Sequence, residues 1–259
     1  TDEQHRIDVG ALEELLAIVE QRGDAAVMAI VATAGSTATG AFDRLDEIAL
    51  LRDRYRTWLH VDAAHGASAL FSETLAPLVR GLHLSDSFSW DPHKMMWMPL
   101  SLGTILVRDG LWLRRAFEAD APYLFHATAE SENLGQMTIQ CSKRADAIKL
   151  WMLLRAHGTA PVAEALDRVT AMTRYLYEML SEAEDFEPLH EPQMNILCFR
   201  KRGLSNEETD ALRDRLIRSG EAWITSTVLR GERVLRVTMM NPRTEERHVE
   251  AMIEALRRI

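Results

Sequence analysis

The feature that most constrains the fold of this sequence is a nearly continuous apolar run at residues 25–32, Ala-Ala-Val-Met-Ala-Ile-Val-Ala. Apolar residues at helical spacing predict one helix over residues 9–21 and another over residues 44–55, with Asp43 as the expected cap of the second. A strand that is apolar on both faces and stands between two helices is typical of a parallel sheet covered on both sides. We therefore predict an α/β fold with a mainly parallel sheet.

The alternation of strand and helix continues along the first half of the chain. Further strands are predicted over residues 58–62, 85–90 and 102–107. Thr33, Asp62 and Lys94 each stand at or just beyond the end of a predicted strand. Because ligands bind outside the carboxyl ends of the strands in such sheets, we expect these three side chains to converge on one site.

The pattern changes in the second half of the chain. Residues 113–134 are expected to be irregular. Helices are predicted over residues 142–157, 162–183, 206–219 and 245–258, and strands over residues 194–200, 222–228 and 233–239. The shorter strands and the hairpin indicate a small α+β domain. We place the boundary near Gly158, so that residues 1–157 form one domain and residues 158–259 the other.

Composition excludes several classes of function. The net charge of −9 argues against nucleic acid as the main partner. No apolar run reaches the ~18 residues of a membrane span, and the polar N-terminus does not resemble a signal peptide. Two cysteines, Cys141 and Cys198, give no disulfide framework, which fits the cytoplasm. The chain does not begin with Met, so processing, truncation and membership of a longer chain all stay open.

Lys94 is the first candidate for catalysis. It stands in the segment Asp91-Pro92-His93-Lys94-Met95-Met96, just past a predicted strand. Apolar neighbours can desolvate a lysine and favour the neutral amine, a nucleophile suited to Schiff-base chemistry with a carbonyl group. The alternative is an ordinary surface lysine whose stem lies along apolar neighbours while its amine reaches water.

Asp62 complements the lysine. A carboxylate at a strand end, among small residues, needs a cationic or donor partner if it is buried. Pyridoxal phosphate (PLP) offers both parts of the match, because it forms a Schiff base with a lysine and works best when a carboxylate keeps its ring nitrogen protonated. Ala64 is small enough to let a flat ring lie against it. A capping carboxylate is the alternative for Asp62 considered alone.

Residues 25–155 resemble the group II PLP-dependent amino acid decarboxylases, which include the glutamate, aromatic-amino-acid, histidine, cysteine-sulfinate and diaminobutyrate enzymes. The resemblance rests on an ordered set of short segments, not on any single one. They are residues 32–37 with 40–43, residues 59–64, Asp86-Ser87 with Pro92-His93-Lys94, Tyr123-Leu124-Phe125, Gln140-Cys141 and Lys149-Leu150-Trp151. The resemblance implies a fold-type I PLP-dependent transferase-like fold, with residues 1–157 as the C-terminal part of the PLP-binding domain.

The resemblance also implies roles for individual residues around the cofactor. Lys94 would form the Schiff base, and Asp62 would pair with the pyridine nitrogen. The Ala64 methyl would pack on one ring face, Thr33 would lie near the ring's edge and hydroxyl, and His93 would sit beside the phosphate.

Three more residues are implied in handling the substrate. Tyr123 lies 29 residues past Lys94, as does a mobile-loop tyrosine in the family. It would protonate the substrate carbon after CO2 leaves, provided that its loop closes and excludes water. Arg236 resembles an arginine of the family's C-terminal strand that binds a substrate carboxylate, a role that suits its bidentate geometry. His65 stands where relatives often have an aromatic residue, so it is either a substrate-pocket residue or a hydrogen-bonded structural histidine.

The chain departs from the family in two further respects. Asp91 stands where many relatives carry Asn, and its negative charge argues against a contact with phosphate. The family's chains are roughly twice as long, and their extra N-terminal part supplies much of the phosphate cradle and the dimer contacts. We therefore expect a companion polypeptide or lost sequence that corresponds to this half, in a homodimer or a heterotetramer built on the family dimer.

Several readings of the function compete. The first is PLP-dependent decarboxylation of an L-amino acid, and Met95-Met96 with residues 236–242 slightly favour an acidic, glutamate-like substrate. A non-catalytic or regulatory subunit and PLP-dependent oxidative deamination are alternatives on the same cofactor. A metal-dependent hydrolase is the remote one, since His60, Asp62 and His65, with His83 or His93, are residue types that zinc accepts. Their spacing matches no established metal motif, and we predict no metal site.

Overall fold

The computed structural model describes residues 1–117, 134–140 and 142–259. Its first sheet has four strands in the order β1-β2-β3-β4. They are β1 Ala29–Thr33, β2 Trp58–Asp62, β3 Ser87–Trp90 and β4 Thr104–Val107. The first three strands run parallel and β4 is antiparallel to β3, so this sheet is the mainly parallel one expected from the sequence.

Helices precede and connect these strands. They are α1 Val9–Arg22, α2 Leu45–Tyr55, α3 Pro92–Met95, α4 Leu111–Phe117 and α5 Ala147–His157. The α1 helix begins where the Asp8 side chain accepts the N–H of Ala11, and it ends at Gly23 in the left-handed conformation. The buried face of α2, with Leu45 and Ile48, packs into the main core.

One face of this sheet is covered within the described residues. Ile30, Ala32, Leu59 and Val61 on that face are at most 5% exposed. The opposite face is open: Val31 is 59% exposed and Ile105 55%. The expectation that residues 25–32 would be buried on both faces is therefore met on one face only, because no described residue packs over Val31.

A second sheet lies in the C-terminal half, and all its pairings are antiparallel. Its strands are β5 Phe186–Pro188, β6 Ile196–Lys201, β7 Thr225–Leu229 and β8 Glu232–Thr238, in the order β5-β6-β8-β7. The associated helices are α6 Ala160–Glu182, α7 Asn206–Ser219 and α8 Glu246–Arg258. We call residues 186–259 with α6 the small unit. The division at Gly158 stays a prediction, since α6 also contacts the first half, where Asp167 accepts a hydrogen bond from Ser72.

Several expected elements differ from those observed. β1 begins at Ala29, not at residue 25, and α5 begins at Ala147, not at residue 142. The helix α4 occupies part of the stretch that was expected to be irregular. Asp43 does not cap α2; its carboxylate accepts the N–H groups of Ile7 and Thr33, both at 2.6 Å.

The short β5 strand was not predicted.

In the described part of the chain, no helix is both long enough and apolar enough to cross a bilayer.

Candidate active site

The carboxyl ends of β1, β2 and β3 lie side by side. Thr33 pairs in register with Asp62, and Asp62 pairs with Ser89 on the next strand. The backbone then ties the following turns together, since Asp91 N–H donates to the Ala64 carbonyl at 3.0 Å. Lys94, three residues beyond Asp91, is therefore held at the same edge of the sheet as Thr33 and Asp62. Sequence reasoning placed these three residues at strand ends, and the structure brings those ends together.

Asp62 presents one free carboxylate oxygen. Its Oδ1 accepts hydrogen bonds from the Ala64 backbone N–H and from the Ser89 hydroxyl, both at 3.1 Å. Among the described residues, nothing pairs with Oδ2. The Asp62 side chain is exposed at the carboxyl end of β2 among the described residues. A carboxylate fixed by one oxygen and open at the other is suited to receive an N–H from a ligand.

Lys94 lies in the four-residue helix α3, where Pro92 at the start supplies a preset φ. Its Nζ is 3.0 Å from Asp91 Oδ2, and its side chain is 39% exposed. Among the described residues, Lys94 is therefore partly exposed and paired with a carboxylate, as in the second of the two alternatives considered for it. The neighbouring Met95 and Met96 are buried, so the helix is anchored by its methionines while the lysine side chain reaches outward.

Asp91 and His93 surround the lysine with further polar atoms. The Asp91 carboxylate lies close to Gly103, since a Cβ added at Gly103 would come within 2.8 Å of Asp91 Oδ1. His93 is fixed through Nδ1, which lies 2.8 Å from the Leu102 carbonyl oxygen, and its Nε2 is 3.8 Å from Asp91 Oδ2. The Asp91 carboxylate is therefore engaged with the Lys94 amine and lies near His93.

Arg236 brings a second cation towards the strand ends. Its Nε donates to the Ala38 carbonyl in the loop after β1, at 3.1 Å, and its Nη1 approaches the Thr225 hydroxyl at 3.4 Å. No carboxylate pairs with it within the described ranges. Burial lowers the pKa of Arg236 from its ordinary value, because the guanidinium is partly removed from water. A half-buried guanidinium with spare N–H donors is suited to bind an anion.

His65 follows β2 and bonds to the small unit. Its Nε2 is 2.7 Å from Asn195 Oδ1. Burial lowers the pKa of His65, the positive charges of Lys94 and Arg236 act in the same direction, and the bond to Asn195 opposes them. His65 therefore joins the turn after β2 to the residue just before β6.

The small unit is bonded to three loops at the strand ends. Ala38 accepts from Cys198 as well as from Arg236, and Phe42 N–H donates to Gln193 at 2.8 Å. After α3, the Trp97 indole donates to the Met240 carbonyl at 2.6 Å. Sequence reasoning missed Trp97 and Asn195, since both bonds join segments more than 100 residues apart and carry no local pattern.

Other predicted residues have definite places or fall outside the description. Thr33 is half-buried and donates its backbone N–H to Asp43, and Ala64 is half-buried at the turn after β2. Tyr123 and Cys141 lie outside the described residues. His60 Nδ1 is bonded to Ser87 Oγ at 2.8 Å on the sheet face. The described residues contain no group of three or more His, Cys, Asp or Glu side chains placed to hold a metal ion.

The residues present fit a cofactor that carries an aldehyde and a protonated ring nitrogen. Lys94 would supply the amine, and Asp62 at the adjacent strand end would supply the carboxylate oxygen that no described residue pairs with. Comparison with known proteins agrees with this chemistry. Residues 1–202 match the model of the pyridoxal-dependent decarboxylase conserved domain. The chain belongs to this family.

The chain is also similar to individual decarboxylases. It is 39% identical over 204 residues to an acidic amino acid decarboxylase GADL1 of Xenopus tropicalis, which covers 77% of this chain and 40% of the relative. It is 30% identical over 269 residues to an aromatic-L-amino-acid decarboxylase of Bacillus atrophaeus, covering 100% of this chain and 55% of the relative. The chain thus spans about half the length of the relatives it matches, or less.

Solved structures show the same fold. Mouse CSAD aligns with a TM-score of 0.87 and 30% identity, covering 99% of this chain and 56% of that one. Oryza sativa TDC, solved with PLP and tryptamine, aligns with a TM-score of 0.92 and 27% identity, covering 98% and 55%. The α/β fold is therefore that of the fold-type I PLP decarboxylases, and PLP is the cofactor, as the sequence predicted.

Proposed function

We propose that this chain carries the lysine-bearing part of a PLP-dependent enzyme that converts an L-amino acid into the corresponding amine and CO2. The observation that carries the proposal is the convergence of Lys94 and the open Asp62 carboxylate at adjacent strand ends, with Arg236 reaching the neighbouring loop. When bound, PLP supplies an electron sink for the bond to the leaving carboxylate.

The chain's own residues would hold and orient that cofactor. Lys94 would supply the amine that joins it, once its contact with Asp91 is given up. Asp62 Oδ2 would accept the ring N–H, while Ala64 and Ser89 keep the carboxylate in place through Oδ1. The half-buried Thr33 and the methyl of Ala64 would contact the ring, and His93, anchored on Leu102, would lie beside the phosphate.

Arg236 is proposed to bind a substrate carboxylate through the donors that Ala38 and Thr225 leave unused. His65 would line the same pocket with its remaining ring nitrogen. Tyr123, outside the described residues, is proposed to return a proton to the substrate carbon after CO2 leaves. An acidic amino acid is the substrate class we favour, supported by Arg236, by the GADL1 relatives and by a cysteine sulfinic acid decarboxylase of Mus musculus at 36% identity.

We also propose that the site is completed by polypeptide beyond this chain. Its relatives are about twice as long, and among the described residues nothing covers the face of the first sheet that bears Val31 and Ile105. A companion corresponding to the N-terminal half of the relatives, in one chain or as a separate one, would cover that face. We propose that the assembly is a homodimer or a heterotetramer and acts in the cytoplasm.

The experiment combines the complete assembly with PLP and measures CO2 release from a panel of acidic, basic and aromatic amino acids. Lys94→Ala tests the centre of the proposal, and Lys143→Ala, at an exposed lysine in the same half, is its matched control. We expect Lys94→Ala to abolish both CO2 release and the visible absorbance of lysine-bound PLP, while Lys143→Ala retains both. Retention of that absorbance in Lys94→Ala would contradict the proposal.

The products separate the alternatives on the same cofactor. Amine and CO2 in equal amounts support decarboxylation. Aldehyde and ammonia formed with consumption of O2 would show oxidative deamination. A protein that binds PLP through Lys94 and turns over no amino acid in the panel would be a non-catalytic subunit.

A further inference from the structure

Asn195 is a fully buried polar residue at the junction between the small unit and the strand-end loops. It lies just before β6, and its backbone carbonyl accepts the Met239 N–H at 2.8 Å. Its side-chain Nδ2 donates to the Met239 carbonyl at 3.1 Å and lies 3.3 Å from Met95 Sδ. A buried amide with this many partners is costly to leave unsatisfied, so its position is closely determined.

These bonds fix the orientation of the Asn195 amide. Because Nδ2 must face the Met239 carbonyl to donate, Oδ1 faces His65. An amide oxygen only accepts, so the Nε2 of His65 carries the hydrogen. When neutral, His65 is therefore the Nε2–H tautomer, and its Nδ1 is left as a bare acceptor. Burial and the charges of Lys94 and Arg236 lower the pKa of His65 and favour this neutral form.

The partners of Asn195 lead directly to the two cations of the site. Met95 is the residue after Lys94 in α3. Met239 follows the strand β8, which carries Arg236. His65 belongs to the turn after β2, three residues beyond Asp62. The Asn195 side chain thus contacts the three segments that bear Lys94, Arg236 and Asp62, through Met95, Met239 and His65 respectively.

We propose that Asn195 is a positioning residue that sets the separation between Lys94 and Arg236, with His65 held as a neutral hydrogen-bond donor to it. The inference rests on the proposed function, because that separation matters when one amino acid must reach Lys94 with its amine and Arg236 with a carboxylate. If that separation changes, the amino acid loses part of its contact with Arg236, which raises KM with little change in kcat.

The test uses the complete assembly and two pairs of variants. Asn195→Ser removes the amide, and Asn206→Ser is its matched control. Asn206 is the exposed first residue of α7, and its side chain accepts the Arg233 N–H and donates to the Gly231 carbonyl of the β7–β8 hairpin. His65→Phe removes the donor to Asn195, whereas His65→Gln keeps an N–H donor of similar reach.

The kinetic readout is KM against kcat for the amino acid identified by the panel. We expect Asn195→Ser and His65→Phe to raise KM about tenfold, the effect of one lost buried hydrogen bond, with kcat within about twofold of the parent. His65→Gln, which keeps a donor to Asn195, is expected to raise KM less than His65→Phe does, and Asn206→Ser is expected to keep the parent KM. An unchanged KM in Asn195→Ser, or an equal rise in Asn206→Ser, would overturn the proposal. If Asn195→Ser does not fold, the contrast between His65→Phe and His65→Gln decides.

A second readout needs no cofactor. Nitrogen NMR of the cofactor-free assembly, labelled at histidine, should show His65 protonated at Nε2 and bare at Nδ1, and Asn195→Ser should lose this pattern. A parent spectrum with hydrogen on Nδ1 would refute the role of Asn195. If the panel finds no substrate but the spectrum is as expected, the proposed function fails, while the hydrogen bond from His65 to Asn195 is still supported.

Discussion

Gly66→Ala is the substitution whose effect the structure allows us to calculate most directly. A Cβ at Gly66 would lie 2.5 Å from the Ala34 carbonyl oxygen and 2.5 Å from Cε1 of Phe42. An ordinary C···O contact is about 3.3 Å or longer, so the turn after β2 must move away from the loop after β1 by about 0.8 Å. The backbone of Gly66 is not in the left-handed region, so the cost comes from these contacts alone.

The expected loss follows from three contributions. Overpacking costs about 1–3 kcal/mol, and weakening the 3.1 Å bond from Gly66 N–H to the Ala34 carbonyl costs about 1 kcal/mol. The smaller entropy of the unfolded chain with Ala returns about 0.4–1 kcal/mol. We therefore expect the free energy of unfolding to fall by about 1–3.6 kcal/mol, with a central value of about 2.3 kcal/mol.

Equilibrium urea unfolding, followed by far-UV circular dichroism, measures this loss. With a slope of about 3 kcal/mol per molar urea, the midpoint should fall by nearly 1 M. Gly110→Ala is the matched control, because nothing lies within 4 Å of its Cβ position and its φ is unstrained, so its midpoint should stay near the parent value. Equal midpoints for Gly66→Ala and the parent would refute the close approach of the two loops.

Two further predictions concern buried side chains. Burial raises the pKa of Cys198 to about 12, and its thiol donates to the Ala38 carbonyl. We therefore expect iodoacetamide at pH 8 to leave Cys198 unmodified until the protein is unfolded, as mass spectrometry of the peptide that contains Cys198 would show. Rapid labelling of Cys198 in the folded protein would contradict this prediction. His190 accepts the Cys198 N–H at Nε2, and burial lowers the pKa of His190 below its ordinary value of 6.5. The unfolded chain therefore binds the proton more readily, and the stability that neutral His190 contributes at pH 7.5 should be lost as pH falls below about 6.5. His190→Gln should reduce this loss between pH 7.5 and 5.5 in urea titrations, whereas His83→Gln, at an exposed histidine, should not.

Local sequence patterns predicted the elements that depend on local physics. β2 and α7 have the predicted bounds, since an alternating strand between loops and a capping box with a terminal glycine both act within a few residues. The ends of β1, β2 and β3 could be placed from the same patterns, which is why Thr33, Asp62 and Lys94 were found as a group.

Features that depend on distant partners could not be predicted in this way. Asp43 precedes a helix and is a residue type that often caps helices, yet its carboxylate accepts the N–H groups of Ile7 and Thr33 instead. Lys94 has apolar neighbours in sequence, but Asp91, three residues earlier on the same turn, pairs with its amine. The role of Asn195 depends on four segments meeting in space, and no window of sequence contains them.

The bonds between the small unit and the strand-end loops also bear on how the protein folds. Arg236 to Ala38, Cys198 to Ala38 and His65 to Asn195 join residues 198, 160 and 130 positions apart. Closing such long loops costs chain entropy before any contact repays it, and folds rich in distant contacts form slowly. During synthesis, the first sheet emerges from the ribosome well before β8 does. We therefore expect the strand ends to form early and to receive Arg236 only in one of the last steps, so that the nascent protein passes through a state in which Lys94 is in place and Arg236 has not yet bonded to the Ala38 carbonyl.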